Sequence, residues 1–540
     1  MRYSPRAMPL TDPAADVWTL LSDWAEHAPE APAFLHGEQT ISFGELHERA
    51  LRAAQGLADL GVGPGDRVAL WLPNVPAYLF LYFACARLGA IAVAVNTRYR
   101  AVEVADIVGR SGAKVLACAP GFRRIDFLSI LAEVDPQALD KLAAIVIVGD
   151  EPATPPAAIE RLRRVPFDRL LSRARFGVSH AVPNAPCNIF TTSGTTSAPK
   201  FVLHRQGAIA THAQEVARAF GFDAPETLTL SILPLCGVFG FNQTLTTLAA
   251  GKPCVLVESY EIEEIARLIA QHQPSTLLGS DDMIARLLEL VPGEKPFPSV
   301  KWMGYAGFNA ALENIAEVAE TRGLILRGPY GMSEVQALYA IQPIDAPVAQ
   351  RKKGGGVVSS PFAHVRVRDP ETGELLGPGQ PGALECAGPS LMVGYWGNEK
   401  ATAEALTKDG YVRTGDLGQI EADGSFTFLS RMGDVLRLSG FLVNPLEIEM
   451  HIQKLPAIEG CQTIAVPRPD GVRAVSFVML KPGASLDEAE VIAHCRRGLA
   501  NYKVPLRVFA IDDFPKTPSP NGFKIQRNRL REMAEQHLSS

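Results

Sequence analysis

A proline-led apolar helix set between two short apolar strands constrains this chain more than any other feature. In "GDRVALWLPNVPAYLFLYFACARLGAIAVAV" (Gly65–Val95), "RVALWL" and "AIAVAV" flank "PAYLFLYFACARLG". Strands with no polar face belong in a parallel sheet covered on both sides, and parallel neighbours need helical crossovers. Ala77–Val95 is also the most membrane-like stretch. Arg87 in its middle and the "RLG" break favour a buried helix of about three turns followed by a strand, because a membrane span takes about 20 residues.

The same alternation extends in both directions. Ser42, with Glu45 three residues on, caps an amphipathic helix carrying Leu46, Ala50, Ala53 and Leu57. Helix around "AVEVADIVGRSG" and strand "KVLACA" follow, and a second α/β run is expected from Cys187 to about Arg327. Two α/β lobes result. After Gly354 the texture changes to glycine-punctuated alternating segments with turns at "ETGE" and "ADGS", which predicts antiparallel hairpins. From Leu446 helix and strand segments resume, so a compact α+β unit closes the chain. The expected junction is "LSRMGDVLRLSG", Leu429–Gly440.

A chain of 540 residues exceeds what one core fills, since single cores stop growing at roughly 250–300 residues. At least two domains follow. Net charge −6 gives no bulk reason to expect nucleic acid. Eight cysteines without CxxC spacing argue against a disulfide framework and structural zinc. The first residues lack an apolar signal core, so a cytoplasmic location is expected, with no transmembrane segment.

"TTSGTTSAPK", Thr191–Lys200, supplies what a phosphate cradle needs: glycine for close approach, hydroxyl and N–H donors, and a mobile cation. A polar surface turn is built from the same residue types, and both readings stand on these residues alone. Gly194 and Lys200 have the spacing of a P-loop. However, Pro199 replaces its second glycine and Phe201 stands where a magnesium-binding hydroxyl is required. A P-loop NTPase is disfavoured.

With "YGMSE", "YVRTGD", "SRMGDVLRLSGFLVNPLEIE" and "PKTPSPNGFKIQRNRLR" in order behind it, the chain resembles the adenylate-forming superfamily of acyl-CoA and aryl-CoA synthetases, carrier-loading adenylation domains and beetle luciferases. The resemblance covers nearly the whole chain. It implies a fold of α/β class: a large multi-subdomain N-terminal adenylation domain, residues 1–430, that binds ATP and a carboxylic acid, and a smaller mobile α+β lid domain, residues 431–540. It further implies an acyl-adenylate made from ATP with release of pyrophosphate, then transfer to a thiol.

The resemblance also assigns residues. Lys200 with Thr191, Thr192, Ser193, Gly194, Thr195 and Thr196 would hold the β- and γ-phosphates; Glu334 would bind Mg²⁺; Tyr330 would face the adenine. Asp416 and Arg431 would reach the ribose hydroxyls. Gly440 would line the pantetheine arm of CoA. Lys524 would bridge the carboxylate and the α-phosphate, so Lys524, Lys200 and Glu334 form the expected catalytic set. Cys236, Gly237, Phe239, Phe241, Asn242, Tyr305, Phe308 and Gly331 would surround the acid, with Trp302 either beside them or in the core.

Several positions depart from the family pattern. Ser197 and Phe201 replace loop glycines, with Phe201 expected to pack beneath the loop. Cys236 and Gly237 stand where an aromatic residue and a histidine are common. Ser430 replaces a glycine, Gly433 sits at the hinge, and Phe523 separates the usual Gly–Lys pair. Cys236 has no neighbouring base and reads as structural or pocket-lining. His204 and His272 read as packing, cap or surface residues, and Arg527, Arg529 and Arg531 as lid contacts. The expected function is ATP-dependent, AMP-forming ligation of an apolar aliphatic or aromatic acid to CoA. The alternatives are loading of a carrier-bound phosphopantetheine, a luciferase-like oxidation, and a catalytically weak nucleotide-responsive module. A homodimer is left open.

Overall fold

The structure is a computed structural model and describes residues 15–150, 156–192, 199–258, 260–307, 312–432, 436–438, 441–443, 445–468, 471–499, 501–519 and 522–539. The Gly65–Val95 segment folds as its pattern dictates. Strand Arg67–Trp71 leads to helix Pro76–Leu88, which starts on proline and ends at Gly89 with φ 65°, and strand Ile91–Ala94 then pairs parallel with the first. The helix is buried nearly all round, which its continuous apolar sequence requires. Helix Phe43–Asp59 starts where expected, with the Ser42 hydroxyl accepting from Glu45 N at 3.2 Å.

These strands belong to an eight-stranded sheet. Six of its strands are parallel, and Phe201–Arg205 and Gly394–Tyr395 add an antiparallel edge. A seven-stranded sheet holds the second α/β set, and a third, seven-stranded sheet is antiparallel throughout. The two lobes are not the consecutive blocks that the alternation suggests. Pro186–Thr191 and Phe201–Arg205 join the first sheet, whereas Pro32–His36, from near the N-terminus, completes the second beside Cys254–Leu256. Alternation reports crossovers and says nothing of which sheet a strand enters.

Hairpins mark the third sheet as predicted: His364–Arg368 pairs with Gly382–Ala387, and Val412–Ile420 with Phe426–Arg431. The latter turns at Gly424, φ 86°, with Ser425 N donating to Asp423 Oδ1 at 2.9 Å. The C-terminal part packs helices Pro445–Gln453, Glu488–Gly498 and Arg527–Ser539 around a three-stranded sheet, with separate hairpins at 436–443 and 516–525. Among the described residues no helix is long and apolar enough to cross a membrane.

Candidate active site

The phosphate-loop candidate spans an antiparallel hairpin between Pro186–Thr191 and Phe201–Arg205, with Thr191 opposite Phe201. Its mouth is clasped by Thr192 N donating to Lys200 O at 3.0 Å and Lys200 N donating to Thr192 Oγ1 at 3.3 Å. Phe201 is buried, with the Arg110 guanidinium 4.2 Å from its ring centroid. The same guanidinium donates to Pro199 O at 3.0 and 3.1 Å. Phe201, standing where a loop glycine is usual, is therefore taken up in the core beside Arg110. Ser193, Gly194, Thr195, Thr196 and Ser197 lie outside the described residues, as do Phe308, Gly433 and Gly440.

Glu334 lies in a short 3₁₀ turn, Ser333–Val335, and is 6% exposed. Its Oε1 accepts from the Tyr395 hydroxyl at 2.8 Å, and the ring of the same tyrosine lies 4.7 Å from Lys200 Nζ. Loop lysine and motif acid are thus brought together on one aromatic side chain. Two further bonds tie the acid's turn to the loop side. Met392 N donates to Glu334 O at 2.9 Å, and His204 Nε2 donates to Ser333 O at 2.7 Å. Burial pushes the His204 pKa down to about 4, so this ring donates as the neutral imidazole.

Behind the acid, Gln336, Ala337 and Leu338 all take left-handed backbone, with φ 65°, 51° and 40°. Each costs on the order of 1 kcal/mol for a residue with a Cβ, a strain that collects at functional sites. The run is held by Ala337 N donating to Met332 O and Tyr339 N to Tyr330 O, at 2.9 and 2.8 Å. Gly331 makes this possible, because a Cβ there would lie 2.5 Å from Ala337 Cα. Its lack of a side chain is needed by the backbone itself. His212 packs on the same run and is depressed to about 4 by burial, which outweighs the bonds its ring donates to the Ala337 and Gln336 backbone.

Asp416 and Arg431 are cross-strand partners on the Val412–Ile420/Phe426–Arg431 hairpin. Arg431 Nη1 pairs with Asp416 Oδ1 at 2.8 Å, and the Tyr330 hydroxyl donates to Oδ2 at 2.6 Å. Burial raises the Asp416 pKa, while Arg431 and Tyr330 pull it the other way. Tyr330 is 7% exposed, with its ring edge-to-face with Phe426 at 5.1 Å.

The expected acid-pocket residues divide among three clusters. Phe239 packs with Leu233, Trp302, Ala337 and Leu338, next to the strained run. Phe241, two residues on and across the helix, is wedged edge-on between Tyr82 and Phe190 at 4.9 and 5.3 Å. Tyr305 faces away from Trp302, as adjacent strand faces do, and its hydroxyl donates to Lys352 O at 3.3 Å. Trp302 itself sits between Phe222, at 5.9 Å, and the Arg327 guanidinium, at 4.7 Å, which is the core alternative.

Gly237 caps helix Val238–Ala249, and burial pushes the neighbouring Cys236 thiol up to about 12, which leaves no thiolate for catalysis. Asn242 is wholly buried, with Nδ2 donating back to Val238 O at 3.0 Å and Oδ1 without a hydrogen-bond partner among the described residues.

In the C-terminal part, Lys524 lies in strand Gly522–Ile525, opposite Thr517; its side chain is outside the described residues. Arg527, expected to make lid contacts, pairs with fully buried Glu449 at 3.1 Å and donates to Gln462 Oε1 at 3.0 Å. Sequence reasoning missed Tyr395, His212 and Arg110, and read His204 only as a packing, cap or surface residue, of which packing is what its burial shows. All four act across long sequence separations, and only "GYW" around Tyr395, a glycine beside two aromatics, offered a local cue.

This chain belongs to the AMP-binding enzyme family: the family's model matches residues 21–396, and that of the AMP-binding enzyme C-terminal domain matches residues 447–520. Among curated relatives, a feruloyl-CoA synthase of an Amycolatopsis species is 29% identical over 529 residues, covering 94% of this chain and 96% of its own. A long-chain-fatty-acid–CoA ligase of Escherichia coli O6:H1 is 27% identical over 530 residues, covering 94% and 92%. Among solved structures, ATP-bound MatB from Rhodopseudomonas palustris is 26% identical, covers 96% of this chain and 99% of its own, and matches with a TM-score of 0.81.

Proposed function

We propose that this protein is an AMP-forming acid–CoA ligase that activates an apolar aliphatic or aromatic carboxylic acid. The observation that carries the reading is the meeting of Lys200 and Glu334 on Tyr395, beside the Tyr330–Asp416–Arg431 group. In the first step the acid's carboxylate oxygen attacks the α-phosphorus of ATP, forming the acyl-adenylate and expelling pyrophosphate. In the second the CoA sulfur attacks the acyl carbon, AMP leaves, and the thiol proton passes to solvent.

Lys200 would bind the β- and γ-phosphates with the hydroxyls and N–H groups of Thr191–Thr196. Its charge grows in value as negative charge moves onto pyrophosphate. Asp416 would accept from the ribose hydroxyls, since each carboxylate oxygen has a second lone pair beyond the Tyr330 and Arg431 bonds. Tyr330, its hydroxyl committed to Asp416, would offer only its ring to the adenine. Lys524 would approach the α-phosphate from a mobile lid hinged near Gly433, and Gly440 would border the CoA arm.

Glu334 fits a magnesium ion by its chemistry: a buried carboxylate of the hard oxygen type that Mg²⁺ takes singly, with phosphates and water completing the shell. Among the described residues no cluster of three His, Cys, Asp or Glu side chains could hold a metal, so most ligands of such an ion would come from the nucleotide. Bound there, it would neutralise phosphate charge.

The acid would enter beside Phe239, Ala337 and Leu338, an apolar wall against which each buried methylene gains about 0.8 kcal/mol. A panel of aryl, medium-chain and branched acids, run with and without CoA while pyrophosphate, AMP and acyl product are followed by mass, tests the reading. Acid-dependent pyrophosphate release and CoA-dependent AMP release are expected; folded protein that gives neither across the panel would overturn it. An acyl group found on carrier-bound phosphopantetheine and not on CoA would favour the carrier-loading alternative.

A further inference from the structure

We propose that Tyr395 is a positioning residue that serves two charged groups at once, its hydroxyl fixing the Glu334 carboxylate and its ring seating the Lys200 ammonium, so that one side chain sets how well the site takes a magnesium–nucleotide complex. The proposal rests on the assignment of Glu334 as the magnesium acid.

Backbone pairing places Tyr395 without reference to any ligand. The two-residue strand Gly394–Tyr395 runs antiparallel to Phe201–Arg205, with Tyr395 opposite Val202. Val393 N donates to Leu203 O and Trp396 N to Phe201 O, both at 2.8 Å, so the register is fixed on either side. Lys200 precedes Val202 by two residues and therefore emerges on the same face, at the diagonal position from which a long side chain reaches an aromatic ring.

Upstream, Met392 N holds the Glu334 carbonyl at 2.9 Å, while Tyr395 itself holds the Glu334 carboxylate at 2.8 Å. Residues 392–396 thus lash the strand leaving the phosphate loop to the turn carrying the acid.

Tyr395 is itself anchored. Its N–H donates to Thr402 Oγ1 at 2.9 Å, and Thr402 Oγ1 donates on to Asn398 O at 2.9 Å. Gly394, at φ 155°, makes room: a Cβ there would lie 2.7 Å from Thr402 Cγ2.

The division of labour follows from the chemistry of the two contacts. A hydrogen bond to one carboxylate oxygen fixes the carboxylate plane while leaving acceptor capacity for a cation. An aromatic face attracts an ammonium without neutralising it, so Lys200 keeps its full charge for phosphate, which a direct ion pair with Glu334 would have spent.

The test uses the full chain and a non-hydrolysable ATP analogue, with binding followed by calorimetry across a magnesium titration. Tyr395→Phe, which keeps the ring, is expected to raise the magnesium concentration for half-maximal binding about fivefold to tenfold, with binding restored to within about twofold at saturating magnesium. Tyr395→Leu is expected to remain several-fold weaker even at saturation, because Lys200 loses its seat. In a Glu334→Gln background, Tyr395→Phe should add less than about twofold.

A merely structural tyrosine would lower the melting temperature of the Phe variant without moving its magnesium midpoint, and that result would overturn the proposal. So would full additivity with Glu334→Gln. If Glu334→Gln shifts the midpoint and Tyr395→Phe does not, the acid's assignment stands and the proposal fails. If neither shifts it, the acid's assignment fails and takes the proposal with it. Tyr395→Phe alone carries the test should Tyr395→Leu not fold.

Discussion

Two buried carboxylates in this protein each receive a tyrosine hydroxyl, and they differ in how their charge is met. Asp416 accepts from Tyr330 at 2.6 Å and is ion-paired with Arg431 at 2.8 Å. Glu334 accepts from Tyr395 at 2.8 Å, and among the described residues no lysine or arginine ion-pairs with it; Lys200 rests on the tyrosine ring instead. A buried charge already balanced is suited to accept from neutral hydroxyls. One left for a ligand to balance is suited to a cation. On the roles proposed for them, the difference would separate a ribose-type acceptor from a metal-type one using the same pair of residue types.

The sharpest break of this comparison is Glu334→Gln. It should lower the adenylation rate by roughly 10²–10³-fold, the scale of losing one transition-state charge contact. Pyrophosphate exchange measures it, and excess magnesium should not restore the rate. Lys524→Ala is expected to suppress adenylation at least about 10²-fold while sparing thioester formation from preformed acyl-AMP; equal loss in both half-reactions would mean the residue is wrongly assigned.

Asp416→Ala comes next, with an expected rise in the ATP KM of about 10-fold to 100-fold, since it removes the acceptor and the negative charge that Arg431 pairs with. Magnesium dependence should stay unchanged, and a shift there would erase the distinction between the two acids.

Acid should strike the Glu334 side first. His204 and His212, both buried, have pKa values lowered from 6.5 to about 4. Their contribution is complete above pH 6.5, where both states are neutral. It is lost as pH falls toward 4, because the unfolded chain takes up protons that the folded one refuses. Each contributes about 3 kcal/mol at neutral pH. Melting curves should fall steeply over that window, and His204→Gln should flatten them.

The smallest effect expected is that of Tyr330→Phe, about fivefold on the ATP KM, because Arg431 still meets the Asp416 charge.

How much of this was legible in the sequence depended on range. The Pro76–Leu88 helix, the Ser42 cap and the hairpin turns follow from local pattern, and each lies where its residues put it. The motif residues Lys200, Glu334, Asp416 and Arg431 could be found because each sits in a contiguous signature. Tyr395 could not, since its meaning comes from pairing with a strand about 190 residues earlier. The split of Phe239, Phe241 and Tyr305 among three clusters was hidden for another reason: helical rotation and strand alternation send near neighbours in opposite directions. Gly331 and the left-handed run behind it were equally silent, because nothing in "VQAL" announces positive φ.

The strand Pro32–His36 waits for its parallel neighbour, Cys254–Leu256, which is made about 220 residues later. At a synthesis rate of roughly 5–20 residues per second, that strand spends on the order of 10–45 s on the ribosome with one edge unclaimed. The antiparallel partner Gln39–Ser42 is available at once and covers the other edge. Slow codons between residues 45 and 250 would lengthen the interval in which the unclaimed edge has no partner.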